Sequence, residues 1–591
     1  MRPNEYAPIE DYAVIGDGRT AALVASDGSI DWLCLPDIDS PSVFAAILDA
    51  EHGGAFAVHP VEPFEVDRGY VEGTNVLETT FRTSGGAVRL TDAMTLSSAG
   101  RLAPMREVVR KLECLGGSVE LEWSVEPRFD YARHRGSTTN RSGRLFFTHG
   151  VHALTLSVWG AEAAEAGRVR LDAGDRVLFS LASTHHRPAI LPGRPDTEER
   201  LAQTLSFWRE WGKRSEYDGP WRESVLRSVL ALKLLVFAPS GAVVAAATTA
   251  LPEEIGGVRN WDYRYAWPRD ATYTLDALLA LGYHDEAHAF FWWLRHASRL
   301  TQPRLEVLYR VDGASGVPEQ ELGHLNGYRH SKPVRVGNAA ARQVQLDLYG
   351  SVLGSIWRHA GSHGDLGAAT GRETAKIADY VSREWPNPDS GIWEVRTKPM
   401  NFVQSKAMCW AALDRASGLA ERAFIPDRRA RWRAAADQIR AWIEEHGWDD
   451  DLRAYIRAPE LRELDASLLT LPIVDYQADR QRLNSTVDAV RDRLGAGPLL
   501  YRYVGEDGLP GGQGAFTTCS FWLADALARL GRVEEAANLM DELIPLATDV
   551  GLFAEEIDPS TGQQLGNFPQ GLVHVALINA AVSIQSAEEA R

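Results

Sequence analysis

Three segments are denser in Trp, Asp, Glu, Arg and Gly than helix packing requires. The first, Asn260-Trp261-Asp262-Tyr263-Arg264-Tyr265-Ala266-Trp267-Pro268-Arg269-Asp270, runs into a helical pattern at Ala271. Asp270 is placed to cap that helix, and Arg269 offers a fork of donors to sugar hydroxyls between tryptophan walls such as Trp267. The second is Asp389-Ser390-Gly391-Ile392-Trp393-Glu394-Val395-Arg396. A lone glutamate among 80 acidic residues is usually solvated surface. Here Trp393 precedes it, and an apolar neighbour raises a carboxyl pKa by making the charged form harder to solvate. Glu394 is therefore the candidate proton donor to a leaving oxygen. The third segment is Gly551-Leu552-Phe553-Ala554-Glu555-Glu556-Ile557-Asp558-Pro559. In it Glu555 follows three apolar residues and leads toward the last helix. Glycoside hydrolysis with inversion needs one carboxylic acid and one carboxylate on opposite faces of a sugar ring, roughly 6.5–9.5 Å apart so that a water fits. Glu394 and Glu555 are the pair, as general acid and general base.

Composition narrows the partners. The 591 residues carry 62 basic and 80 acidic side chains, net −18, with no basic block, which argues against nucleic acid or an anionic membrane as partner. No apolar stretch reaches the length of a membrane-spanning helix. The segment Met1 to Asp11 holds Pro3, Glu5, Pro8 and Glu10 without an apolar core, so an ordinary signal peptide is not expected and a cytoplasmic location is. Cys34, Cys114, Cys409 and Cys519 show no C-x-x-C spacing and read as small buried residues. No His/Cys/Asp cluster has metal-ligand spacing. His574, on the last apolar helix, reads as a hydrogen-bonded core residue. The 18 tryptophans, many beside charged residues, suit a small-molecule sugar as partner.

Two kinds of pattern must position these segments. Up to about residue 190, short runs rich in Val, Leu, Thr and Phe alternate with Gly-bearing turns, as in Ala21 to Val24 before Ser26-Asp27-Gly28. That pattern predicts an antiparallel β-sandwich over residues 1–190. The breaker-rich run from Pro188 to Pro195 marks a boundary. Beyond it the period becomes 3.6. A helical linker is expected over 191–218, and a catalytic domain over 219–591. About a dozen helices are read, counting the one that begins at Leu201, near 221–237, 270–282, 284–298, 340–359, 367–384, 403–417, 427–446, 478–494, 516–530, 532–547 and 569–586. A dozen antiparallel helices can close into an (α/α)6 barrel. An open solenoid is disfavoured because no 30–45-residue period repeats.

With those residues set out, the chain resembles glycoside hydrolase family fifteen, which contains glucoamylases, glucodextranases and a branch of prokaryotic trehalases. Ile9-Glu10-Asp11-Tyr12 and Asp27-Gly28-Ser29-Ile30-Asp31-Trp32 are similar to the amino-terminal domain of its prokaryotic branch. The run ending Trp267-Pro268-Arg269-Asp270 resembles the loop that grips the non-reducing glucose. Pro333-Val334-Arg335-Val336-Gly337-Asn338, with Gln343 and Gln345, resembles another pocket segment. Gly391-Ile392-Trp393-Glu394 and Ala554-Glu555-Glu556 resemble the loops bearing acid and base. The resemblance implies a β-sandwich followed by an (α/α)6 barrel, substrate-binding roles for Trp267, Arg269, Asp270, Arg335 and Trp393, no cofactor, and release of β-glucose. Gln513 stands where the family often carries an acid, which bears on the substrate. Trehalose is the favoured substrate, and a glucoamylase-like or isomaltose- or dextran-type glucohydrolase is the alternative. A non-catalytic sugar-binding protein is the remote one.

Overall fold

The computed structural model describes residues 5–96, 105–299, 301–505 and 507–591; Pro3 of the N-terminal segment lies outside them. Strands between Tyr12 and His185 form an antiparallel sandwich of fourteen strands among the described residues. Its spine is the 20-residue strand Arg106–Val125. The first half of this strand pairs with Gly86–Met94 and Arg176–His185 in one layer, and the second half with Phe56–Pro60 and Ala166–Asp172 in the other. A strand that changes layer must bend where backbones nearly touch. The bend falls at Gly116-Gly117, where a Cβ on Gly117 would stand 2.1 Å from the Gly85 carbonyl oxygen. Beyond the bend Val119, Leu121, Trp123 and Val125 are buried while the residues between them are not, the period-two signature of a half-buried strand.

A helix, Arg194–Gly212, follows. Arg200 Nε donates to Glu107 of the sandwich spine at 2.8 Å, and Trp211 Nε1 donates to Glu286 of the helical region at 2.6 Å. The connection is therefore fastened at both ends.

The remaining helices alternate between two rings. Val403–Glu421, Thr517–Arg529 and Gly571–Glu589 are buried along most of their length. By contrast, Arg429–His446 buries only Trp432, Ala435, Ala436, Ile439 and Ile443, and Val533–Leu543 only Val533, Ala536, Met540 and Leu543, the stripe of a helix with one face in solvent. The inner ring runs Ala271–Ala280, Leu348–His363, Val403–Glu421, Ala466–Ile473, Thr517–Arg529, Gly571–Glu589 and back to Ala271–Ala280, each packed on the next. Closure between the last and first members makes this an (α/α)6 barrel. The fourth inner member is missing from the sequence reading. It is a 3₁₀ turn, Ala466–Leu469, continued by Thr470–Ile473 with Pro472 inside it, too short to show a 3.6 period. The pattern read near 340–359 also begins late, at Leu348, after a separate 3₁₀ turn at Ala339–Arg342.

The two domains share buried polar contacts. Arg264, fully buried, pairs with Asp262 and donates to Ser40 O and to the Tyr131 hydroxyl of the sandwich, and Trp32 Nε1 donates to Ala247 O at 2.9 Å. All four cysteines are free and buried. Among the described residues no helix is long and apolar enough to cross a membrane.

Candidate active site

Loops at one end of the inner ring enclose a cleft of about 760 Å³ whose lining includes Trp267, Arg269, Asp270, Trp393, Glu394 and Glu555. Glu394 lies between the outer helix Ala368–Glu384 and the inner helix Val403–Glu421. Its backbone is left-handed, φ 59°, a conformation that costs a non-glycine residue on the order of 1 kcal/mol. Gln343 holds it there: its amide donates to Glu394 O at 3.1 Å and Val395 O at 3.2 Å, and is itself oriented by Gln345.

The Glu394 carboxyl receives Trp267 Nε1–H at 2.8 Å and Arg269 Nη1–H at 3.2 Å, both on Oε1. An oxygen that accepts two N–H donors is the poorer place for a proton, so a proton on this carboxyl resides on Oε2. The sequence expectation that Trp393 shields Glu394 needs correction. The Trp393 indole donates instead to Asp465 at 2.8 Å and packs on Phe516 and Trp522, so the direct aromatic neighbour is Trp267, from a distant loop. Asp270 makes no cap hydrogen bond to the helix it precedes. Its carboxylate accepts from Arg269 Nε at 3.0 Å, and burial pushes its pKa up while that guanidinium pulls the other way. Arg269 thus spans Asp270, Ile392 O and Glu394. Arg335 stands behind the wall, outside the lining residues. Its guanidinium stacks on Trp261 at 4.7 Å and donates to Val258 O, while Arg396 stacks on the same ring at 4.9 Å.

Glu555 sits where three short strands, Ala515–Phe516, Glu556–Ile557 and Gln564–Leu565, meet above the inner helices. Its carboxylate fits because residue 566 is glycine; a Cβ there would stand 2.6 Å from Glu555 Oε2. His574 props the loop. Its Nε2 accepts Phe553 N–H at 3.4 Å, so the ring proton is on Nδ1 toward Ser228, and burial holds the imidazole neutral, its pKa lowered to about 3. Glu555 is 1% exposed. Its Oε2 accepts the Asn567 backbone N–H at 3.3 Å, while Oε1 makes no well-formed hydrogen bond and the Tyr263 hydroxyl stands within reach of the carboxylate. Burial, then the Glu253 charge, push its pKa up to about 8, against Arg502, Tyr263 and the Asn567 amide.

Sequence reading passed over Glu253, Tyr263, Arg502 and the role of Glu556. Glu253 sits in Leu-Pro-Glu-Glu and Arg502 between two tyrosines, with no periodic signal to mark either. In the fold, ligand oxygens of Glu253, Glu555 and Glu556 lie within 4.8 Å of one another, the described carboxylate group dense enough for a cation. Arg502 is inserted there: Nη2 reaches Glu253 Oε2 at 2.5 Å and Glu556 Oε1 at 2.8 Å, and Nε donates to Gln513 at 2.9 Å. A cleft with aromatic walls, a carboxyl whose free oxygen is Oε2, and a second buried carboxylate with a high proton affinity can protonate a leaving oxygen and deprotonate a water.

Residues 219–582 match the family model described as glycosyl hydrolases family 15, and residues 1–162 match a trehalase-like N-terminal model. The chain is 39% identical to the trehalase of Mycobacterium tuberculosis, over 99% of this chain and 91% of that protein. It is 40% identical to the trehalase of Mycolicibacterium smegmatis, over 99% and 92%. In fold it is similar to a bacterial glucoamylase complexed with acarbose, at TM-score 0.69 and 14% identity, covering 99% of this chain and 95% of the other.

Proposed function

Because this chain belongs to glycosyl hydrolase family 15 and is a glycoside hydrolase, we propose that it cleaves a short α-linked glucoside, trehalose before others, with inversion and release of β-glucose. Glu394 donates its Oε2 proton to the departing oxygen, and Glu555 takes a proton from the attacking water. Trp267, Arg269 and Asp270 bind the glucose whose bond breaks, and Trp393 forms part of the wall. The observation that carries this reading is the pairing in one cleft of two glutamates from different loops in unlike settings. One is held by two N–H donors on a single oxygen; the other is buried beside further carboxylates. Two further carboxylates, Glu253 and Glu556, beside the base disfavour phosphate as the nucleophile, so hydrolysis is favoured over phosphorolysis. The division into 1–190, 191–218 and 219–591 belongs to the same proposal, supported by the last sandwich strand ending at His185 and the next helix starting at Arg194.

Preference for trehalose draws on the two mycobacterial relatives, and the runner-up, a glucoamylase-type activity on maltose, isomaltose or dextrins, on the family's breadth. Initial rates of glucose release from trehalose, maltose, isomaltose and a short dextrin decide between them. The expected result is the highest kcat/KM on trehalose. A preference for maltose or dextrin supports the runner-up, and no release from any substrate overturns hydrolysis in favour of a sugar-binding protein.

A further inference from the structure

Four charged side chains crowd the far side of the cleft, and the hydrolytic scheme uses only one of them. Glu253 directly follows the strand Thr249–Pro252, is 1% exposed and lines the cleft. Its two oxygens have separate duties: Oε1 accepts the Trp261 indole N–H at 3.2 Å, and Oε2 takes Arg502 Nη2 at 2.5 Å. Arg502 also donates Nε to Gln513 and brings Nη2 to 2.8 Å from Glu556 Oε1 as an ion pair, and no hydrogen bond joins it to Glu555 among the described residues. The guanidinium therefore acts on Glu555 through charge alone.

We propose that Glu253 is a positioning residue for Glu555, holding Arg502 off that carboxylate and adding negative charge beside it, so that Glu555 remains free to take the proton of the attacking water. The proposal rests on the reading of Glu555 as base. Glu253, Glu555 and Glu556 converge to within 4.8 Å, and Arg502, the cation among them, is fastened to the two that do no chemistry. Without the Glu253 anchor, the Nη2 hydrogen it held is released, and Glu555 is the one carboxylate of the group not already paired with Arg502. A base hydrogen-bonded to a guanidinium binds a proton poorly, because the charged form has been stabilised. The groups facing Glu555 are Glu253 just after the strand Thr249–Pro252, Tyr263 from the loop before Ala271, Arg502 after the strand Leu499–Leu500, and its neighbour Glu556. Tyr263 in turn feels the charges of Glu555, Glu253 and Glu394. Tyr263 and Arg502 favour the ionised base, and Glu253 opposes them.

The test is the pH profile of kcat/KM for the full chain. In Glu253→Gln the amide can accept from Trp261 or from Arg502 but not both, and the charge is gone. The acidic limb moves to lower pH by about one unit, a tenfold change in the ionisation constant, and plateau kcat falls more than KM rises. Gln513→Glu, on a partly exposed loop, adds a third carboxylate at Arg502 and moves the limb the other way, so the idea stays testable if Glu253→Gln fails to fold. A limb that stays in place in the variants that fold overturns the proposal, as does a Glu253→Gln whose only change is a higher KM. Glu555→Gln separates the two claims. If it is inactive while the limb is unmoved, only the role of Glu253 fails; if it hydrolyses like wild type, the base assignment itself fails.

Discussion

Replacing Glu394 with glutamine probes proton donation with unusual geometric control. Trp267 Nε1 and Arg269 Nη1 both point at Oε1, so the glutamine amide must place its carbonyl there and its NH₂ at the Oε2 position. The side chain keeps its shape, its two donors and a hydrogen bond toward the leaving oxygen, and loses only the transferable proton. General acid catalysis contributes about 10²- to 10⁴-fold, or about 3–5 kcal/mol of barrier, and kcat on a disaccharide should fall by that amount. Fluoride departs with much less proton assistance, so α-glucosyl fluoride should retain most of its wild-type rate. Alanine at 394 would add a separate penalty, since it strands two buried donors at about 1–3 kcal/mol each. Initial rates on both substrates, for wild type and Glu394→Gln, provide the comparison. Equal losses on the fluoride and the disaccharide would refute the assignment of Glu394 as acid, and so would no loss on either.

Two further expectations concern stability. Asp347, fully buried with both oxygens lacking hydrogen bonds, has its pKa pushed up to about 7 by burial and by Asp389 and Asp270, against Arg269. The folded chain keeps this proton until about pH 7 while the unfolded chain loses it near 3.8, so stability falls as pH rises between those values and the penalty is complete above 7. Asp347→Asn should therefore gain Tm over wild type more at pH 8 than at pH 5, with a ceiling of about 4 kcal/mol; an equal difference at both pH values contradicts this. Arg264→Ala leaves Asp262 charged and unpaired in the core and cuts the contacts to Ser40 and Tyr131. A loss of about 3–5 kcal/mol is expected, read as a lowered thermal midpoint, and an unchanged midpoint would mean that the two domains are held without it.

Much of this architecture is legible in the sequence because burial imprints periodicity. Stripes such as Trp432, Ala435, Ile439 and Ile443 announce an outer helix, and alternation along Val119 to Val125 announces a strand. The turn at Ala466–Ile473 is silent because eight residues with Pro472 cannot repeat a helical period, and it becomes visible only as the member that closes the ring. The site divides in the same way. Glu394 and Glu555 stand in segments of odd composition and can be found by composition. Glu253 and Arg502 stand in ordinary surroundings and acquire meaning only when residues 249 positions apart in the chain meet at 2.5 Å. Trp393 misleads because adjacency in sequence is not contact: at the left-handed turn of residue 394 the indole is directed to Asp465, and Trp267 takes the place beside the carboxyl.

The stereochemistry of the first product tests the central claim most directly. In trehalose both anomeric carbons are α, and only one of them is attacked. Direct displacement by water on Glu555 inverts that carbon and leaves the other untouched, so proton NMR in the first minutes, with enough enzyme to outrun mutarotation, should show α- and β-glucose in equal amounts. α-Glucosyl fluoride should give β-glucose alone. If trehalose yields only α-glucose, or the fluoride yields the α-anomer, the reaction passes through a covalent glycosyl intermediate, and Glu555 is not the base described here.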